Sequence, residues 1–302
     1  MRGIVTFLLL AINTLSWGTP IVLLGIVKFA VHMTAPRSRA RTRVMLRLAW
    51  LGQCWVQWNN RIFDAILPTQ WDARGVDEQM DPRGRYLIIS NHVSWVDIFV
   101  LQRAFRGRAA FIRFFVKHQF IWFPIVGQAC WAMEFPFMHR YSPEYLERHP
   151  DKRGKDLETT RRAAQRYRHI PVAILNFVEG TRFTREKQAD QDSPYRHLLR
   201  PRAGGIGFVL AALGDQLDAV FDVTIIYPGD DVTMWDFVSG NIPRVIVRVR
   251  RIDVPPEMTT AAVTEPGPER DRLKQWIGEI WAEKDRLIAS TLSSERERSV
   301  ES

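Results

Sequence analysis

The hydrophobic pattern changes period twice along this chain. From Gly3 to Val27 no side chain is charged. As a helix that stretch would measure about 37 Å, more than the roughly 30 Å hydrocarbon core of a bilayer. Trp17-Gly18-Thr19-Pro20 interrupts it, and proline removes a helix hydrogen bond. The segment therefore reads as one kinked span or as two short halves folded back into a leaflet. A cleaved signal peptide is the rival reading, but its apolar region is normally shorter and no small-x-small cleavage site follows. Between residues 41 and 71 the period becomes helical, with Leu46, Trp50, Leu51, Trp55, Trp58, Ile62, Phe63 and Leu67 on one stripe. Its tryptophans suit a membrane interface, and a plain core-facing helix explains them equally well.

Beyond the turn Asp81-Pro82-Arg83-Gly84, β-branched runs alternate with helical stretches. Strands are expected at 86–90, from Val172 to Val178, at 220–227 and at 245–250. Helices are expected near 95–106, 155–168 and 205–213. After Pro266 and Pro268, Leu273, Trp276, Ile277, Ile280 and Trp281 mark an amphipathic helix. This order predicts an α/β fold, a central mostly parallel sheet flanked by helices, preceded by an N-terminal membrane-inserted helical segment. Four regions follow: an anchor at 1–35, an amphipathic interfacial helical region at 36–80, an α/β domain at 81–260, and at 261–302 an amphipathic helix with a polar tail whose last ten residues are expected to fray.

Composition narrows the choice of partners without deciding it. The chain has 302 residues, 46% of them apolar, and a formal net charge of +9. A basic balance admits nucleic acid, an anionic membrane surface or phosphorylated substrates. Only Arg2 precedes the uncharged stretch, whereas Lys28, Arg37, Arg39, Arg41, Arg43 and Arg47 follow it. The positive-inside rule then puts the body of the protein on the cytoplasmic side of an inner membrane, and the basic collar would attract anionic headgroups. The two cysteines, Cys54 and Cys130, make neither a disulfide framework nor a metal cluster. His118 and His139 lack a ligand constellation, so no metal is expected.

Two segments carry chemistry, and each follows a buried-strand pattern. Asn91-His92-Val93-Ser94-Trp95-Val96-Asp97 sets a histidine five positions before a carboxylate. On one helix that step is about 500° and the two would not share a face. The pair works only with His92 in the turn and Asp97 in the first helical turn. Imidazole is the side chain best suited to take a proton near neutral pH, and a carboxylate behind it fixes its tautomer. The bland alternative is equally concrete: Ser94 and Asp97 match a helix capping pattern, and His92 is then an ordinary loop residue. No Gly-x-Ser-x-Gly elbow is present, though Ser94 beside His92 leaves an acyl-serine route open. The second segment, Phe177-Val178-Glu179-Gly180-Thr181-Arg182, suits a turn that grips a phosphate, with a bidentate guanidinium and a glycine for close backbone approach. Its alternative is a surface ion pair between Glu179 and Arg182. Arg202-Ala203-Gly204-Gly205 reads as a helix N-terminus that adds to an anion site or as an ordinary glycine turn. The aromatic run Phe111, Phe114, Phe115, Phe120, Trp122 and Phe123 reads as core or as the lining of an acyl groove.

Taken in this order, the two segments resemble the blocks of the glycerolipid acyltransferase family, which includes 1-acylglycerol-3-phosphate and lysocardiolipin acyltransferases. Asn91 to Asp97 is similar to its Asn-His-x-Ser-x-x-Asp block. Phe177 to Arg182 is similar to its Phe-Pro-Glu-Gly-Thr-Arg block, with Val178 where proline is usual. Phe137-Met138-His139-Arg140 resembles the second block, with Glu134 where many members have glycine, and Val223 to Pro228 resembles the fourth. The resemblance implies that His92 deprotonates an acceptor hydroxyl and Asp97 orients it. It implies that Arg140 and Arg182 hold a phosphate or headgroup, that Glu179 belongs to the acceptor site, and that Gly180 and Thr181 shape the turn. It further implies a lysophospholipid acceptor, membrane lipids as surroundings, no nucleic acid, and acyl-CoA or acyl-carrier protein as thioester co-substrate with no resident cofactor.

Overall fold

The computed structural model describes residues 1–35, 38–76, 80–139, 141, 143–149, 151, 154–167, 170–229 and 232–301. In chain order the elements are α1 (Arg2–Thr34), α2 (Arg39–Ile66), β1 (Gln70–Arg74), β2 (Arg85–Ser90), α3 (Asp97–Ala104), β3 (Ile112–Phe114), β4 (Val116–Lys117), α4 (Val126–Ala132), β5 (Phe137–Met138), α5 (Pro143–Arg148), α6 (Lys155–Tyr167), β6 (Val172–Phe177), α7 (Arg185–Asp190), α8 (Ala203–Leu213), β7 (Ala219–Ile226), α9 (Met234–Ser239), β8 (Arg244–Ile252) and α10 (Pro268–Glu301).

Six strands form the main sheet in the order β1-β8-β7-β2-β6-β3. The four from β7 to β3 run parallel, β8 is antiparallel to β7, and β1 is parallel to β8. Alternate residues of the central strands feed two separate cores, the period-2 consequence of a sheet covered on both faces. Leu87, Ile89 and Ile174 pack with Ile206 and Val209 of α8 and Leu273 and Ile277 of α10. Tyr86, Ile88, Leu175 and Phe221 pack with Phe63 of α2, Val100 and Leu101 of α3 and Phe237 of α9. Each such aliphatic side chain contributes about 1.5–3 kcal/mol by leaving water. The register sets Ser90 opposite both Phe177 and Val223. The chain leaving β2 therefore emerges beside the chain leaving β6, which brings the two sequence segments together.

Of the two forms expected of the N-terminus, the structure has the single helix and not two short halves folded back. α1 is one unbroken helix through Pro20, about 50 Å long at 1.5 Å per residue. It forms an antiparallel hairpin with α2. Asn13 Nδ2 donates to Asn59 Oδ1 at 2.8 Å, Trp55 Nε1 donates to Thr14 Oγ1 at 3.1 Å, and Trp17 meets the Trp50 ring edge-on. The buried positions of α1 step by three or four residues: Gly3, Thr6, Leu10 and Asn13, then Gly18, Ile21, Gly25 and Lys28. Small residues on this seam admit close approach. Gly3 lies against Trp235 and Ser239 of α9, and Gly25 lies against Ala132 of α4. The same helix is thus docked on the α/β domain at both ends. Its other face exposes Ile4, Phe7, Leu8, Ile12, Leu15, Leu23, Ile26 and Phe29. The tryptophans of α2 divide: Trp55 packs on α1 and Phe99, whereas Trp50 and Trp58 are exposed.

Glu134 pins this hairpin. Its backbone is left-handed at φ 62°, a conformation glycine adopts without cost. The glutamate is held there by Lys28 of α1 at 3.4 Å and Arg41 of α2 at 2.8 Å. Lys28 also donates to the Ala132 carbonyl at 2.6 Å. Two members of the basic collar are therefore spent on the protein interior; Arg37 lies outside the described residues. Two further differences follow from tertiary pairing. β1 lies within the stretch expected to be helical and precedes the turn at 81–84; Asp72 fixes it to β8 through Arg244 at 2.8 Å and Arg248 at 3.0 Å. α10 continues to Glu301 instead of fraying at Ser293, and Glu295 pairs with Arg244 at 3.4 Å. Lys284, fully buried, ties α10 to β7 through Asp222 at 2.6 Å.

Candidate active site

β2 ends at Ser90, and Asn91 fixes the turn that follows. Its side chain donates to the Ile225 carbonyl and accepts from the Ile225 N–H, both at 2.9 Å, so it continues the ladder towards β7. His92 then projects from the turn, half-buried, with its ring stacked on Phe177 at 3.8 Å and 13°. Its Nδ1 lies 2.8 Å from Asp97 Oδ2. A carboxylate only accepts, so Nδ1 carries the proton, and in the neutral imidazole the lone pair is then on Nε2. Among the described residues Nε2 has no hydrogen-bond partner.

Asp97 is fully buried and saturated with donors. Besides His92, Oδ2 receives the Val93 N–H at 2.6 Å and the Ser94 N–H at 3.0 Å, and Oδ1 receives the Tyr227 hydroxyl at 2.7 Å. Asp97 thus takes the Ser94 N–H as in a capping box while facing the imidazole, although α3 has Val96 at its N-cap with no side-chain cap bond. Ser94 does not complete the box, because its Oγ accepts from the Val96 N–H at 3.3 Å. Burial, with Asp97 beside it, raises the Tyr227 phenol well above its usual range, so it stays a donor.

The second segment leaves β6 directly alongside. Val178, standing at the usual proline position, uses the N–H that proline lacks, donating to the Ser90 carbonyl at 3.2 Å. Glu179 is fully buried and spends both oxygens on backbone: Oε1 accepts from His92 N–H at 3.0 Å and Oε2 from Leu199 N–H at 2.9 Å. It is not the ion-pair partner of Arg182. Burial pushes its carboxyl up to about 8, against the pull of those two donors. Gly180 takes φ 71°, which only glycine adopts freely, and Arg202 passes so close that a Cβ would sit 3.1 Å from its Cδ. Thr181 Oγ1 accepts from Lys187 Nζ at 3.0 Å. Arg182 is exposed, its guanidinium 5.0 Å from the centre of the Trp95 ring. Arg140 lies outside the described residues.

His92, Asp97, Glu179, Gly180, Thr181 and Arg182 are therefore one site at the carboxyl ends of β2 and β6, where open α/β sheets bind ligands. Arg182, Lys187 and Arg202 ring the Gly180 turn with positive charge. Sequence reasoning missed Tyr227 and Lys187 as members. Tyr227 was visible only as part of the fourth block, and Lys187 as one of many surface cations. The aromatic run splits. Phe111 lines a cavity of about 640 Å³ with Met45, Trp50, Pro82, Arg113 and Pro171, at the opposite ends of the strands from His92. Trp122 and Phe123 are exposed. Among the described residues no group of three or more His, Cys, Asp or Glu side chains converges as metal ligands.

Tyr227→Phe removes one donor from the buried Asp97 carboxylate. The expected result is a loss of about 1–3 kcal/mol of stability by thermal or denaturant unfolding, together with a fall in turnover and little change in acceptor KM.

A mouse 1-acyl-sn-glycerol-3-phosphate acyltransferase epsilon is 24% identical over 226 residues, 67% of this chain and 56% of that protein. Mouse lysocardiolipin acyltransferase 1 is 26% identical over 279 residues, 83% of this chain and 69% of that protein. The chain spans less than two thirds of the length of several curated relatives it matches. The crystal structure of the 1-acyl-sn-glycerophosphate acyltransferase PlsC from Thermotoga maritima aligns with 98% of both chains at a TM-score of 0.47 and 15% identity. The acyltransferase family model matches residues 74–228, more than half of the sequence and the whole stretch from β1 past Tyr227, and the chain belongs to that family.

Proposed function

We propose that this protein is a membrane-attached O-acyltransferase that esterifies a lysophospholipid, with 1-acyl-sn-glycerol-3-phosphate as the leading acceptor and phosphatidic acid as product. The observation that carries the reading is the 2.8 Å contact between His92 Nδ1 and a buried, donor-saturated Asp97. It leaves Nε2 as a base held in one tautomer and one orientation.

The chemistry follows from that arrangement. Nε2 takes the proton of the acceptor hydroxyl as its oxygen attacks the carbonyl carbon of an acyl thioester. The resulting imidazolium is stabilised by the Asp97 carboxylate. Collapse of the tetrahedral intermediate expels the thiolate of coenzyme A or of an acyl-carrier protein, and His92 returns its proton to that sulfur. No group on the enzyme is acylated, so Ser94, whose Oγ is turned to the Val96 N–H, has no covalent role. Arg182 binds the acceptor phosphate, with Lys187 and Arg202 adding field, because a guanidinium grips a phosphate bidentately. Glu179 contributes by latching the His92 backbone to the Leu199 loop rather than by touching the acceptor.

Membrane attachment rests on α1. A helix docked on the α/β domain from Gly3 to Lys28 lies along that domain. Its exposed apolar face, with Trp50 and Trp58 of α2, then enters one leaflet in the manner of an interfacial helix. The remaining basic collar faces anionic headgroups on the cytoplasmic side. The acceptor already resides in that leaflet. Lysocardiolipin and other lysophospholipids are the alternative acceptors, since relatives of both names match this chain.

His92→Ala is expected to cost about a hundredfold to ten-thousandfold in turnover, the range for a missing general base, while lysolipid binding by calorimetry or cosedimentation survives. Retained activity would contradict the proposed base and favour a purely lipid-binding protein. Arg182→Ala should raise KM for acceptors bearing a phosphate far more than for uncharged monoacylglycerol; equal losses on both would rule out a headgroup role.

A further inference from the structure

One pair of side chains has no place in the site, the core or the α1 face. Trp122 is 81% exposed and Phe123 is 56% exposed. Single exposed apolar residues are ordinary, but these are adjacent aromatics at the tip of a loop built with care. The short 3-10 turn His118–Trp122 follows β4 directly. Phe123 N–H donates to the Phe120 carbonyl at 3.0 Å, and the two rings stack at 5.4 Å and 3°. Gln128 Nε2 donates to the Ile121 carbonyl at 2.7 Å. The carbonyls of Phe120 and Ile121 press on Gly127, where any Cβ would collide. Ile125 holds φ 63°, an outlier for a β-branched residue. Such a conformation persists only where the surroundings hold it. α1 lies directly against this residue: a Cβ on Gly18 would sit 2.6 Å from Ile125 Cγ2. The loop is closed by its own hydrogen bonds and seated on α1, and it leaves two large apolar rings outside.

Position supplies the occupant. On one side the loop leads into α4, which docks on α1 at Gly25. The loop and α4 thus both lie against α1, at Gly18 and at Gly25. On the other side the loop descends from β3, where Phe114 pairs with Leu175, two residues before the Phe177 ring that stacks on His92. Lys117, exposed, stands just before the turn. Tryptophan and phenylalanine beside a lysine is the composition of a bilayer interface.

We infer that the Phe120–Phe123 loop is a second lipid-inserting element, with Trp122 and Phe123 entering the same leaflet as the outer face of α1. This rests on the membrane-attached reading above and adds to it. The loop presses the rim of the active site onto the leaflet, so an acceptor slides from lipid to His92 without passing through water.

The test uses the full chain with Cys54→Ser and Cys130→Ala, shown to keep acyl transfer. A nitrobenzoxadiazole probe is attached at Trp122→Cys, at Ile12→Cys on α1, or at Glu279→Cys on α10. Vesicles are phosphatidylethanolamine and phosphatidylglycerol carrying a shallow doxyl-lipid quencher. Probes at 122 and 12 should brighten several-fold and be quenched, while 279 stays unchanged. If 12 responds and 122 behaves like 279, the inference falls and the α1 anchor stands. If neither responds, both fall. A second readout compares acceptors in the Trp122→Ser/Phe123→Ser variant. Its kcat/KM should drop about tenfold or more on vesicle-borne lysolipid and hold on a short-chain monomeric one. Equal loss on both would make the loop merely structural and overturn the inference.

Discussion

Everything at the site depends on one buried carboxylate. Asp97 has no contact with water, and an ion there would be costly without compensation. It is compensated by four donors, from His92, Val93, Ser94 and Tyr227. Those donors come from the β2 turn and the end of β7, and the carboxylate itself stands at the start of α3. Satisfying the carboxylate therefore fixes three parts of the chain at once. The imidazole inherits its tautomer and its aim from a bond whose first duty is to keep a charge solvated inside protein. Glu179 repeats the device one strand away, joining the His92 backbone to the Leu199 loop. His92 is held from both sides, by its ring nitrogen and by its main chain.

The N-terminal hairpin is coupled to this domain by a different economy. Small residues on α1 let it lie close, and Glu134 accepts cations from both helices in a backbone conformation that suits glycine. A glutamate at that position trades local strain for an ionic link between anchor and catalytic layer. The result ties the helix with the exposed apolar face to the domain that carries His92. The proposed lipid substrate would keep its tails in the leaflet while its glycerol hydroxyl reacts at His92.

Much of this was legible in the residues, and the exceptions have physical reasons. The strands at β2, β6, β7 and β8 announced themselves by β-branched runs, and the His92–Asp97 pair by a spacing that works only across a turn and a helix start. β1 was not legible, because Gln70-Trp71-Asp72-Ala73-Arg74 has no strand pattern of its own and owes its form to pairing with β8. Tyr227 reads as an ordinary aromatic at the end of a buried strand; its role appears only when β7 is placed beside β2. The polar end of α10 looked frayed because its partner, Arg244, lies on a distant strand. Pro20 suggested a break that tertiary packing overrides. Trp122 and Phe123 looked like core or groove by composition, and only their exposure separates them from Phe111 and Phe114.

The central claim is that Asp97 holds His92 as an Nδ1–H tautomer with Nε2 ready to accept a proton. Nitrogen-15 NMR of the histidine-labelled full-length protein in lipid nanodiscs, with His92 assigned by its loss in His92→Ala, reads this directly. Near neutral pH the account predicts a protonated Nδ1 and an unprotonated Nε2 for His92, with the Nδ1 proton far downfield as in a short bond to a carboxylate. A proton on Nε2 with Nδ1 bare would contradict it.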